Sequence, residues 1–99
     1  MFLGKVIGTV WSTRKDENLI GAKFLIVRQL DLDLKEKDQF VVAVDSVGAG
    51  EGEIVLVATG SSSRQTEFTK NKPIDAVIMA IVDKLDVPLK EYLSKQEVV

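Results

Sequence analysis

The sequence predicts a mainly β protein whose five strands form a small, closed or nearly closed barrel. Five short apolar runs support this prediction, and four of them are rich in valine and isoleucine, which suit a pleated, half-buried surface. Charged or turn-forming stretches separate the runs, as expected for a small all-β domain. The predicted strands are residues 6–11, 24–27, 40–44, 54–58 and 76–82.

Composition narrows the function classes. The 99 residues fit one domain, and they include no cysteine and no histidine, so thiolate chemistry and the commonest general base and metal ligand are excluded. The net charge of −2 argues against a nucleic-acid partner. We therefore expect no catalytic residue, cofactor or metal. A signal-peptide pattern and an apolar run of the ~18–20 residues that span a membrane are both missing, so we expect a cytoplasmic protein without a membrane partner.

The first predicted strand ends at Trp11, which is the only tryptophan. Few other aromatic residues are available to build a stacking surface, so Trp11 is predicted to lie in the core or in a subunit contact. The charged residues 13–17 that follow are typical of a solvated turn.

The second strand is followed by LDLDLKEKD, residues 30–38. An EF-hand calcium loop would need a third oxygen ligand, a glycine and a glutamate where this chain has Lys35, Glu36 and Val42. The alternation of leucine with aspartate instead favours an edge strand or an extended loop with a solvated acidic face.

The connection between the third and fourth strands has glycine at every second position, Gly48, Gly50 and Gly52. A dinucleotide or Walker phosphate loop needs a different glycine spacing or a Gly-Lys-Ser/Thr ending, followed by a helix, and Glu51 and Glu53 would repel phosphate. We interpret the glycines as a tight connection between strands. Replacing Gly50 by valine should cost several kcal/mol if its φ is positive and little otherwise.

The segment GSSSR, residues 60–64, follows the fourth strand. Serine N–H groups at a helix start with Arg64 nearby can bind an anion, but we favour serines that cap a short helix and an arginine that pairs with a carboxylate of this copy or of a neighbouring one. Ser62 and Gln65 have capping-box spacing, which predicts a short helix within residues 61–69, and Pro73 should restore extended chain.

The predicted barrel domain covers residues 1–83, and residues 84–99 form a C-terminal tail or a short amphipathic helix that begins at Pro88. The runs FVVAV, IVLVA and AVIMAIV do not alternate, so both faces of these strands are apolar. One face fills the barrel. We expect a neighbouring copy to cover the other face, with the chain's own tail as the alternative.

Three segments in order resemble the vertex proteins of bacterial microcompartments, namely KVIGTVWSTRKDENLIGAKFLIV, VVAVDSVGAGEGEIVLVATGSSSR and PIDAVIMAIVD. The resemblance covers roughly residues 1–83. It implies a barrel similar to the OB-fold and a homopentamer that caps the vertices of a carboxysome-like shell in the cytoplasm, beside separate hexameric shell proteins. It also implies a structural role without enzyme activity.

The resemblance places candidate subunit-interface or pore residues in the two small-residue segments. They are Gly48, Gly50, Gly52, Glu53, Ser61, Ser62, Ser63 and Arg64. The family pattern has alanine at position 63, a departure that we expect to matter little. Two other functions stay open: an OB-like module that binds single-stranded nucleic acid, and a small enzyme that uses carboxylates, although no acids are paired at a telling spacing.

Overall fold

Five strands close into a barrel in the computed structural model, which describes residues 1–88 and residue 90. Around the barrel the order is β1-β2-β3-β5-β4, and the prediction of a mainly β, five-stranded OB-like barrel is confirmed. β1 and β3 begin four residues before the predicted strands do. The strands are β1 Phe2–Val10, β2 Phe24–Leu30, β3 Glu36–Asp45, β4 Ile54–Thr59 and β5 Ala76–Ile81.

β1 is long because it pairs with a different strand at each end. Its first half pairs with β4, from Phe2 opposite Val57 to Lys5 opposite Ile54, and most of the strand pairs with β2. Gly4 lies where both pairings overlap. A Cβ atom at Gly4 would stand 2.3 Å from Cγ1 of Val27, so only glycine lets β1 approach the barrel interior at this point.

The shortest strand pairing in the barrel is the one between β3 and β5. These two strands are parallel and pair only at Val44 with Val77 and at Asp45 with Ile78. The rest of β3, from Glu36 to Ala43, pairs with β2 on one side and has no strand on its β5 side among the described residues. Part of β3 is therefore an open strand edge.

Two apolar clusters lie on the two sides of the barrel wall. The inner cluster fills the barrel and consists of Val6, Leu25, Val27, Ala43, Ala49, Val55, Val57, Ala76 and Ile78. The outer cluster contains Ala22, Val44, Ala58, Ile74 and Val77, with Leu19, Phe24 and Phe68 packed against it. The connections between β1 and β2 and between β4 and β5 supply its covering residues. The expectation that a neighbouring copy or the tail must cover the outer face is therefore wrong for this part of the barrel.

The predicted helix after β4 is shorter and earlier than expected. The structure has a 3-10 helix at Gly60–Arg64, and a second one at Glu17–Leu19 that the sequence did not predict. The capping box of Ser62 and Gln65 is wrong, because Ser62 lies inside the 3-10 helix and its carbonyl oxygen accepts the backbone N–H of Gln65. The N-cap residue is Thr59, whose side chain makes no capping bond.

The acidic segment after β2 is a tight turn. The N–H of Leu34 donates to the carbonyl of Asp31, the N–H of Asp31 donates to the carbonyl of Lys35, and Leu34 has a φ of 65°. Residues 31–35 form this turn, so the predicted extended loop is wrong. From Glu36 onward the chain belongs to β3, and only there does the predicted edge strand hold. Residues 82–88 form neither helix nor strand, and the rest of the predicted tail or helix, residues 89 and 91–99, lies outside the description.

Candidate subunit interface

The β3–β4 connection, residues 46–53, is held in place by two of the chain's own carboxylates. Oδ1 of Asp45 accepts the backbone N–H groups of Val47, Gly48 and Ala49, each at 3.1 Å. Oε1 of Glu53 accepts the N–H of Gly50 at 2.7 Å. Because these donors are already occupied by internal acceptors, the loop has little left to offer a phosphate.

The glycines of this loop have different roles. Gly48 and Gly52 have positive φ angles of 77° and 87°, which favour glycine, whereas the φ of Gly50 is not positive. The N–H of Gly52 donates to the carbonyl of Val6 at 2.8 Å, which ties the loop to β1. Gly50→Val was predicted to be costly only if the φ of Gly50 is positive, so we expect this substitution to cost little. Gly48 and Gly52 are the positions that require glycine.

The start of the β4–β5 connection is fixed by backbone acceptors. Gly60 has a φ of 63°, and its N–H donates to the carbonyl of Asp75 at 2.8 Å. Nη1 of Arg64 donates to the carbonyl of Ile74 at 3.0 Å, so within the described residues this arginine holds backbone and pairs with no carboxylate. The ion pair of Arg64 with a carboxylate of a neighbouring copy stays a prediction. Ser61 and Ser62 are exposed.

Ser63 is fully buried, which the sequence did not indicate. Its hydroxyl faces two carbonyl oxygens, those of Gly60 and Ile74, and so fastens the 3-10 helix to the chain that enters β5. The expectation that serine in place of alanine matters little does not fit this environment, because the hydroxyl is a buried donor to these two carbonyl oxygens, and after its removal Arg64 still donates to the carbonyl of Ile74.

We predict that Ser63→Ala lowers the free energy of unfolding by about 1–2 kcal/mol, the range for a lost buried hydrogen bond. Ser62→Ala is the matched control, since Ser62 is exposed and should change stability by less than about 0.5 kcal/mol. Urea unfolding of both variants at one protein concentration tests this expectation. Equal stability of the two variants would show that the Ser63 hydroxyl is dispensable.

The eight predicted site residues form two groups that the structure does not bring together. Gly48, Gly50, Gly52 and Glu53 precede β4, and residues 61–64 follow it. β4 has six residues, and an extended strand of that length spans about 20 Å. The two groups therefore lie at opposite ends of β4, and each remains a candidate contact or pore region by itself.

The β1–β3 face, defined by Lys5, Ile7, Ile26, Arg28, Phe40 and Val42, is a surface that the site prediction missed. Phe40 is 60% exposed and Val42 is 43% exposed, although both are large apolar residues. Strand pairing places Gly8, Ile26 and Val42 in one row, and Lys5, Arg28 and Phe40 in the next. The run FVVAV signalled this surface, because its lack of alternation predicts apolar side chains on both faces.

A second apolar region is centred on β4 and β5 and reaches β1 at Leu3. Met79 on β5 is exposed, and the neighbouring row of Leu3, Leu56 and Ala80 is half-buried. Trp11 is 89% exposed, so its predicted place in the core is wrong, and a subunit contact remains the open alternative. Two apolar patches centred on different strands of one barrel are the arrangement that a head-to-tail contact between copies requires.

The described residues offer little for other chemistry. They contain no group of three or more acids that could hold a metal ion. No helix within the same residues has the length and hydropathy needed to cross a membrane.

The fold and the sequence together identify the family. The family model described as "Ethanolamine utilisation protein EutN/carboxysome" matches residues 1–83, which include all five strands. This chain belongs to the EutN/CcmL family. Among its relatives in that family is the bacterial microcompartment shell vertex protein GrpN of Rhodospirillum rubrum, which is 50% identical over 86 residues, or 87% of this chain and 97% of GrpN.

Solved structures of EutN/CcmL proteins have the same barrel. The structure of GrpN, described as a pentameric microcompartment shell protein from Rhodospirillum rubrum, aligns with a TM-score of 0.81 at 49% identity and covers 88% of this chain and 99% of that one. CcmL of Gloeobacter violaceus aligns with a TM-score of 0.85 at 40% identity, covering 89% and 91% of the two chains. The recognised resemblance to vertex proteins is confirmed.

Proposed function

We propose that this protein is a structural shell protein, which assembles into homopentamers that cap the vertices of a bacterial microcompartment in the cytoplasm. The observation that carries the proposal is the EutN/CcmL match over the whole barrel, together with 50% identity to a relative named as a shell vertex protein. The hexameric shell proteins that build flat facets are its proposed partners. A shell tiled by hexagons closes only with five-fold sites, so the protein's work is geometric.

The surface of the barrel supports a ring. In a five-fold ring each copy presents two different patches, one to each neighbour. The β1–β3 face and the region around Met79 are two such patches on different strands. Binding energy between copies then does the work, and no bond chemistry is needed, in keeping with the absence of histidine and cysteine from the sequence. We propose that the protein is not an enzyme.

Residues 1–83 are the proposed assembly unit, and residues 84–99 are a proposed tail or short helix. Both groups of site residues remain proposed contact or pore positions. The β3–β4 loop suits such a place because Asp45 and Glu53 make it rigid while Glu51 stays exposed. The 3-10 helix suits one because Ser61 and Ser62 are exposed on a segment fixed by Ser63 and Arg64.

Nucleic-acid binding is the weaker function for this barrel. OB-folds bind oligonucleotides on the face of their second and third strands, with stacking aromatics and a basic groove. Here that face carries Phe40 as its one well-exposed aromatic within the described residues, beside Ile26 and Val42. Arg28 and Lys5 lie in the same row as Phe40, but one exposed aromatic residue and a net charge of −2 are poorer than the stacking platform and basic groove that bind bases and phosphates.

Native mass spectrometry of the full chain tests the assembly. We expect a species of five times 10.9 kDa at micromolar concentration. Co-expression with a hexameric facet protein should give closed shells by electron microscopy, whereas omission of this protein should leave open sheets or tubes. A monomer at micromolar concentration, or shells that close equally well without this protein, would contradict the proposal.

A further inference from the structure

Two like charges stand directly opposite each other on the β1–β3 face. Lys5 on β1 pairs across the sheet with Arg28 on β2, and both side chains point outward because their neighbours Val6 and Val27 fill the barrel. Like charges in directly opposed cross-strand positions destabilise a sheet. A surface pair that violates this rule in an otherwise consistent sheet indicates a function.

The chain itself compensates these charges poorly. Arg28 reaches Asp38 at 3.8 Å, but the Asp38 side chain is fully exposed, so this pair contributes little. Lys5 makes no ion pair and no side-chain hydrogen bond among the described residues. Nη1 of Arg28 also donates to the carbonyl of Lys37 at 3.4 Å, so both cations face outward without a buried carboxylate partner among the described residues.

Apolar side chains continue the same surface. Phe40 lies next to Arg28 in the cross-strand row, and Val42 lies next to Ile26 in the following row. Both exposed residues are on the part of β3 that has no strand on its β5 side among the described residues. An aromatic residue beside an arginine, rimmed by apolar side chains, is the composition of a protein interface centre.

We infer that Lys5, Arg28, Phe40 and Val42 form one half of the contact between adjacent copies of this chain, in which carboxylates of the next copy neutralise the two cations. The inference rests on the proposed function and names the face that the ring uses. A second copy is the proposed occupant because each copy in the ring must cover apolar surface on its neighbour, and because the chain itself carries exposed acids that can meet the two cations. The chain has 15 acidic and 13 basic residues, and exposed acids such as Glu51, Glu67 and Asp83 have no ion pair among the described residues.

The test exploits opposite effects on the single copy and on the ring. Lys5→Gln removes the repulsion within one copy, so the isolated barrel should unfold no more easily than the unmodified barrel. The same change removes a cation from the contact and should raise the concentration at which half of the ring dissociates by about tenfold. Phe40→Ser should raise it by more than tenfold while leaving the barrel folded, because Phe40 is already exposed.

Matched controls lie in the β2–β3 turn. Leu32→Ser removes an exposed apolar side chain and Lys35→Gln removes an exposed cation, and neither residue belongs to the β1–β3 face as defined by its six residues. Native mass spectrometry over a dilution series should show ring dissociation within twofold of the unmodified protein for both. Unchanged rings for Lys5→Gln and Phe40→Ser, or equal loss in the controls, would overturn the inference while the pentamer stands. An unmodified chain that is monomeric would overturn the proposed function as well.

Discussion

Replacement of Leu25 by alanine is expected to lower the free energy of unfolding by about 3–4 kcal/mol, within the range measured for buried leucines. Leu25 lies on β2, is 1% exposed and belongs to the inner cluster that fills the barrel. The closed sheet surrounds this cluster, so the walls cannot collapse far into the cavity that alanine leaves. Urea unfolding at a fixed protein concentration measures the loss, because assembly adds concentration-dependent stability.

Leu32→Ala is the matched control for this cavity. Leu32 is 41% exposed in the turn between β2 and β3, so the same chemical change should cost less than about 1 kcal/mol there. If both leucine variants lose the same stability, the inner cluster is not the main source of apolar stabilisation.

Replacement of Gly4 by alanine is expected to destabilise the barrel by about 2–3 kcal/mol, the usual cost of overpacking. The new Cβ would stand 2.3 Å from Cγ1 of Val27 and 3.1 Å from the carbonyl oxygen of Arg28. Val27 is fully buried and β-branched, so it has no free rotamer to move into. Urea unfolding of the variant gives the cost directly.

Gly8→Ala is the control on the same strand. Its Cβ would make an ordinary contact of 3.6 Å with Cδ1 of Ile26, so this change should be neutral or slightly stabilising. A second check is the Gly4→Ala, Val27→Ala double variant, in which the deleted methyl groups make room for the new one. It should lose less stability than the sum of the two single changes. Additive losses would argue against the steric cause.

A rigid barrel is what the proposed vertex role requires. The curvature of a closed shell depends on the angle between neighbouring copies, and that angle is set by faces on a wall whose two sides are both packed. The inner cluster fixes the wall from inside, while Val44 and Val77 anchor the β4–β5 connection outside it. The β1–β3 face is thereby held in shape before any partner arrives, which lowers the cost of binding.

The sequence by itself determined the fold class and the family. Valine- and isoleucine-rich runs separated by turn residues favour strands through local side-chain fit to a pleated surface, so the five strands were predictable without coordinates. Their lack of alternation also indicated apolar residues on both faces. The separated motifs around residues 4–27, 41–64 and 73–83 were sufficient to recognise the EutN/CcmL family.

The tertiary structure decided which of those apolar residues stay exposed. The β4–β5 connection packs over Val44, which is buried. It does not reach Val42, which stays exposed on the same strand. Trp11 is exposed and Ser63 is buried for the same kind of reason, since burial depends on contacts with segments distant in sequence. The pairing that places Lys5 opposite Arg28 is likewise a matter of strand register, which closure of the whole barrel fixes.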